Sequence, residues 1–86
     1  MSMSGLSEVV GRVVDEGGAP ARDALVVIVA GSVPMPEIAL LCDRDGRFSL
    51  RLPPGVFTLR ATGQAGTGQV DVASPTTGSE ALIVIR

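Results

Sequence analysis

Turn-forming residues interrupt this chain so often that a long helix has no room to form. Gly17-Gly18 with Pro20, Gly31 with Pro34 and Pro36, Gly46, Pro53-Pro54-Gly55, Gly63 and Pro75 cut it into runs of about eight to twelve residues. Glycine opens backbone conformations that other residues avoid, and proline lacks the N–H that a helix or an inner strand needs. The runs between the breaks are rich in Val, Ile, Leu and Phe, and several alternate apolar with polar residues, the period-two pattern of a strand. No stretch of ten residues carries the i, i+3, i+4, i+7 apolar spacing of an amphipathic helix. The pattern predicts an all-β sandwich or barrel. Pairing is expected to be mainly antiparallel, because no helix-sized connection separates any two runs.

Seven strands are predicted. Residues 8–15 turn Val9, Gly11 and Val13 to one face. Residues 24–30 are apolar on both faces, with Ala24, Val26 and Ile28 on one and Leu25, Val27 and Val29 on the other. Residues 37–42 form a short third strand, and the Asp43-Arg44-Asp45-Gly46 turn joins it in a hairpin to 47–52, with Phe48, Leu50 and Leu52 inward. Pro53-Pro54-Gly55-Val56 fits a type II turn, and the strand 56–62 buries Phe57, Leu59 and Ala61. A flexible 63–68 connection leads into 69–73, with Val70 and Val72 inward, and a polar loop over 74–79 leads into the last strand, 80–86.

At 86 residues and 8.8 kDa the chain holds one domain, assigned to 8–86 after a flexible N-terminus over 1–7. A hydrophobic content of 45% at a net charge of −2 excludes intrinsic disorder. With no His, the commonest general base and metal ligand are missing, and Ser-His-Asp, Cys-His and His-based zinc sites with them. A lone Cys42 makes no internal disulfide, which points to a reducing compartment. Residues 1–7 lack the basic and apolar regions of a secretory signal, and no apolar run approaches the ~20 residues of a membrane-spanning helix. The expectation is a cytoplasmic protein with no membrane contact, a specialised export route aside. A pI near 4.8 and the absence of Trp and Tyr argue against nucleic acid and against stacked sugars.

Three features invite a sharper reading. Asp43 and Asp45, with Asp15 or Glu16, offer carboxylates for calcium, but the spacing of a calcium loop is missing, and turn formation explains them better. Cys42 beside Arg44 and Arg47 offers a reactive thiol, yet it has no base or orienting group and reads better as a half-buried apolar residue on a strand. Arg44, Arg47, Arg51 and Arg60 suggest one exposed basic face, either a docking patch for an acidic partner or plain edge protection.

The surplus of apolar residues says most. Val10 and Val14 sit opposite the inward set of the first strand, Leu25, Val27 and Val29 opposite that of the second, and Leu82 and Val84 opposite Ile83 and Ile85. A two-layer sandwich has one interior, so this second set needs a cover: the Val33–Pro36 segment, a second copy or another protein.

The order Val9-x-Gly11-x-Val13-x-Asp15, Gly18-x-Pro20, Ala24-x-Val26, Asp43-x-Asp45-Gly46-x-Phe48 and Leu52-Pro53-Pro54-Gly55-x-Phe57-x-Leu59 resembles carboxypeptidase regulatory-like domains over about residues 9–61. The resemblance implies a seven-stranded antiparallel Greek-key sandwich of transthyretin-like (Ig-like) type, serving as a non-catalytic accessory module. Cys42 departs from the Thr that the family commonly carries before its DxDG turn. The His ligands of carboxypeptidases, and the His residues and C-terminal Tyr-Arg-Gly-Ser of the transthyretin-like hydroxyisourate hydrolase, do not occur here.

Together these readings predict no enzyme, no cofactor and no metal. They predict a structural or adaptor module that contacts protein, itself or another, through Val10, Val14, Leu25, Val27, Val29, Arg47 and Arg51. The alternative is a small-ligand or glycan-binding module that uses its polar loops.

Overall fold

The computed structural model of the chain describes residues 6–33, 38–75 and 80–86. Those residues hold strands and no helix, in a two-sheet, sandwich-like all-β fold. In chain order the strands are β1 (Ser7–Asp15), β2 (Leu25–Gly31), β3 (Ala39–Leu41), β4 (Arg47–Leu52), β5 (Gly55–Gly63), β6 (Gly66–Ser74) and β7 (Ala81–Ile85). One sheet runs β4-β1-β7 and the other β3-β2-β5-β6.

Period-two alternation sets the interior. Val9, Val13, Val26, Leu52, Phe57, Leu59, Ile83 and Ile85 are the largest fully buried side chains, and Ala24, Phe48, Leu50, Ala61 and Val72 join them in one cluster between the sheets. Each large member contributes roughly 1.5–3 kcal/mol by leaving water. Ile28 and Val70 are half-buried at its margin.

Pairing is mainly antiparallel, as expected, since four of the five described strand pairs run that way, but several details of how the strands connect differ from expectation. The exception is β1 and β7, which pair in parallel, with Gly11 opposite Ala81 and Asp15 opposite Ile85. β1 begins at the end of the sandwich where β4 finishes, because Ser7 faces Leu52, and β6 finishes there too, because Ser74 faces Gly55 at the start of β5. β7 therefore sets out from the same end as β1 and fills its free edge. The crossover that a parallel pair requires is everything from β2 to β6.

The predicted hairpin between the third and fourth strands is absent, since β3 and β4 belong to different sheets. One rung forms, where the Asp43 N–H donates to the Arg47 carbonyl at 3.0 Å. The strands then part. The Cys42 N–H donates to the Ala24 carbonyl at 2.9 Å, keeping β3 on β2, while the Gly46 carbonyl accepts from the Val13 N–H at 2.7 Å and delivers β4 to β1.

The expected flexible connection over 63–68 is a tight hairpin instead. Gly63 faces Gly66 across the turn residues Gln64 and Ala65, and β6 starts three residues before the predicted Gln69. At the other end of the chain, Ser7, expected in a flexible terminus, already pairs with Leu52; residues 1–5 of that terminus lie outside the described residues.

The sheets also meet along one side. The Arg86 N–H donates to the Thr67 carbonyl at 3.1 Å, and the Thr67 N–H returns a 3.4 Å bond to the Arg86 carbonyl. Gly68 permits this approach: a Cβ there would run into the Val84 carbonyl. β6 and β7 thus close one side of the sandwich, and β3 and β4 are the edge strands on the other.

Candidate protein-contact surfaces

The outer face of the β4-β1-β7 sheet carries Val10, Arg47 and Arg51 of the predicted contact set. Arg51 lies opposite Glu8, Ser49 opposite Val10, and Arg47 opposite Arg12, with Leu82 on the far side of Arg12. Val10 is 42% exposed and Leu82 48%. Polar partners break this apolar centre up: the Ser49 hydroxyl donates to Glu8 Oε2 at 3.0 Å, and Arg12 Nε stands 3.8 Å from Glu80 Oε1. Two residues lie elsewhere than the sequence predicts. Val14 is buried rather than outward, because the chain folds back through the Asp15 turn and Pro20 bridges against Val14. Arg60 does not join Arg47 and Arg51; it lies on β5 in the other sheet, where Nε and Nη2 both donate to Gln69 Oε1 at 3.3 Å.

The outer face of the β3-β2-β5-β6 sheet is divided. Its β5–β6 half is polar, with Thr58 donating to Asp71 Oδ1 at 2.7 Å beside the Arg60–Gln69 pair. Its β2–β3 half has no charged residue in either strand. There Leu25 lies opposite Leu41 and Val27 opposite Ala39, and Leu25, Val29 and Leu41 are exposed while Val27 is half-covered. One contributor escaped the sequence reading, Leu41 at 65% exposure; Val56, also exposed, lies on β5 opposite Ala73 in the other half. The adjacent pair Leu40-Leu41 was the available signal, since neighbours on a strand face opposite ways. Of the proposed Val33–Pro36 cover, Val33 is exposed and residues 34–36 lie outside the described residues.

The carboxylates offered to calcium are engaged in two matching turns. Asp15 Oδ1 accepts the N–H groups of Gly17 (2.9 Å) and Ala19 (3.0 Å); Asp43 Oδ1 accepts those of Asp45 (2.8 Å) and Arg47 (2.9 Å). In both, the glycine three residues on donates to the Asp carbonyl at 3.0 Å and holds a positive φ, 86° at Gly18 and 73° at Gly46. An Asp side chain that bonds its own turn in this way is the mechanism of an Asx turn. Among the described residues no group of three or more metal-ligating side chains forms.

Cys42 is 3% exposed, more deeply placed than the half-buried position expected. Burial, and then the neighbouring Asp43 carboxylate, push its thiol up to about 11, away from a reactive thiolate. Of the polar loop over 74–79, Ser74 is buried and donates to the Leu52 carbonyl at 2.9 Å, and residues 76–79 lie outside the described residues. A cleft of about 770 Å³ opens at the end of the sandwich, where Arg22, Asp23, Gln64 and Ala65 face Ile85. No described helix is long and apolar enough to cross a membrane. No protein-family model matches the chain, and no curated protein does.

Proposed function

We propose that this chain is a non-catalytic module that works through protein–protein contacts, in self-association or by docking within a larger assembly. The observation that carries this reading is the uncharged outer margin formed by β2 and β3, where the exposed Leu25 and Leu41 lie opposite each other. Contiguous exposed apolar surface of this kind marks interaction sites in soluble domains. In the same reading the fold is a transthyretin-like, Greek-key sandwich of the carboxypeptidase regulatory-like kind. Supporting it, the quoted Asp-x-Asp-Gly and Pro-Pro-Gly motifs fall on connections between the sheets, and the described strands divide three and four.

The test is Leu25→Asp, with Val10→Asp on the opposite sheet as comparison, read by thermal stability, solution mass and quantitative recovery of partners. Leu25→Asp is expected to keep Tm within a few degrees and to abolish association or recovery. Unchanged mass and unchanged partners in both variants would sink the reading. The end cleft favours a second reading, a small polar ligand held by Arg22, Asp23 and Gln64. A panel of sugars and small polar acids that leaves Tm unmoved removes it, because a ligand selective for the folded state raises Tm.

A further inference from the structure

The outer face of the β4-β1-β7 sheet sets two arginines against each other. Arg12 and Arg47 lie directly opposite across β1 and β4. The next pair along, Val13 and Gly46, is joined by the bond from the Val13 N–H to the Gly46 carbonyl. Alternation therefore makes Arg12–Arg47 a pair without backbone bonds, the kind whose side chains stand closer. Like charges directly opposite destabilise a sheet. The neighbouring carboxylates relieve this only in part. Glu8 Oε2 accepts from Ser49, and Asp43 Oδ1 is spent on its own turn. Glu80 stands 3.8 Å from Arg12 Nε, and that nitrogen is shut off from solvent with no hydrogen-bond partner. Among the described residues Arg47 and Arg51 make no ion pair. Edge protection accounts for arginines on β4 itself; it leaves Arg12, on the central strand, unexplained.

The same alternation aims the backbone groups of Arg47, Ser49 and Arg51 away from β1. Asp43 already takes those of Arg47, its Oδ1 accepting the N–H and its own N–H donating to the carbonyl. Those of Ser49 and Arg51 face outward from the edge strand of the sheet. We infer that this edge takes up an extended segment of another protein in which acidic and apolar residues alternate. The added strand exchanges backbone hydrogen bonds with Ser49 and Arg51. Its residues opposite Arg51, Ser49 and Arg47 share the outer face with them, where carboxylates meet the guanidinium groups. Its intervening residues turn to the core side and extend the buried row of Phe48 and Leu50, which calls for apolar side chains.

Charge selects this occupant. A carboxylate between Arg12 and Arg47 replaces one repulsion by two attractions, and a guanidinium holds a carboxylate in two parallel bonds. A neutral segment leaves the repulsion in place, and a basic one adds to it. The Asp43 turn and Pro53-Pro54 bound the available edge, so the contact is short, weak and sensitive to salt.

This inference rests on the protein-contact reading but uses the face opposite the Leu25–Leu41 margin, to which self-association belongs. The isotopically labelled chain is titrated with a peptide of alternating Glu and Val, with the same peptide carrying Gln for Glu, and with inorganic phosphate. Amide shifts and hydrogen exchange are read in the unaltered chain, Arg47→Gln and Leu25→Asp. The Glu peptide is expected to shift and protect the amides of Ser49 and Arg51 and to lose affinity as salt is raised. The Gln peptide and Arg47→Gln are each expected to weaken binding by about tenfold. Arg47→Gln is also expected to raise the Tm of the free chain at low salt, and Leu25→Asp to bind the Glu peptide unchanged. Equal binding of the Gln peptide, shifts centred on β2 and β3, or no binding at millimolar peptide overturns the inference. Phosphate that competes with the peptide while Ser49 and Arg51 stay unprotected reduces the site to an anion contact and overturns the added strand. A lower Tm in Arg47→Gln overturns the repulsion from which it starts. None of these outcomes decides the contact reading itself, which stands or falls on the association and partners lost by Leu25→Asp.

Discussion

The chain's single thiol is buried where its protonated form is favoured. Cys42 is buried beside the Asp43 turn, and both burial and that carboxylate favour the protonated form, raising its pKa from 9.0 to about 11. Up to about pH 9 neither folded nor unfolded chain ionises here, and the full stabilisation is present. Between about 9 and 11 the unfolded chain has lost its proton and the folded chain has not, so stability falls with rising pH, by roughly 2–3 kcal/mol in all. Denaturant midpoints from pH 7 to 11 are expected to show this loss and to flatten in Cys42→Ala. The neighbouring acids, which look alike in sequence, separate in the same way by their bonds. Asp43→Ala removes two bonds to backbone N–H groups and is expected to cost about 1–2 kcal/mol, while Asp45→Ala removes no side-chain bond and stays within about 0.5 kcal/mol. Urea titration of the two variants checks the difference.

Strands find their partners by main-chain direction and by how closely two backbones can approach, and neither is written in hydrophobic alternation. Residue by residue, the inward set was legible: Val9, Val13, Val26, Phe48, Leu50, Leu52, Phe57 and Leu59 are all buried as their alternation requires. The division of β3 and β4 between sheets was not, since Asp43-Arg44-Asp45-Gly46 serves a hairpin and a sheet-to-sheet corner equally well until Gly46 bonds Val13. The tight β5–β6 hairpin was hidden because Gly66 and Gly68 look like flexible spacers; they are the positions where Arg86 and β7 come close. Gly68→Ala is therefore expected to destabilise by about 1–3 kcal/mol, the scale of overpacking, because a backbone carbonyl and not a mobile side chain must move. Amide exchange should accelerate first in β7 and the facing part of β6, and uniform acceleration over the whole molecule would refute a local seam.

Over the whole molecule, the two apolar sets that looked like one surplus lie on opposite outer faces. Val10 belongs to the β4-β1-β7 sheet, among Glu8, Arg12 and Arg47, and Leu25 to the other sheet. The two faces are far enough apart to act independently, so the stability effects of Val10→Asp and Leu25→Asp should add within ~0.5 kcal/mol in the double variant. Association is expected to follow Leu25 alone. A coupling well above that limit in denaturant titrations of the four species would show one shared surface.

The fold class, the inward face of nearly every strand and the sites of the Asp turns are legible without any knowledge of the tertiary arrangement. These follow from local physics, in a period of two, missing proline N–H groups and side chains that reach their own backbone. The structure alone decided the parallel closing of β1 by β7, the burial of Val14, the separation of Arg60 from Arg47, and the isolation of β3 as the apolar edge. Each of these depends on where a segment distant in sequence comes to lie, and side-chain alternation marks which face turns inward without marking what lies beside it.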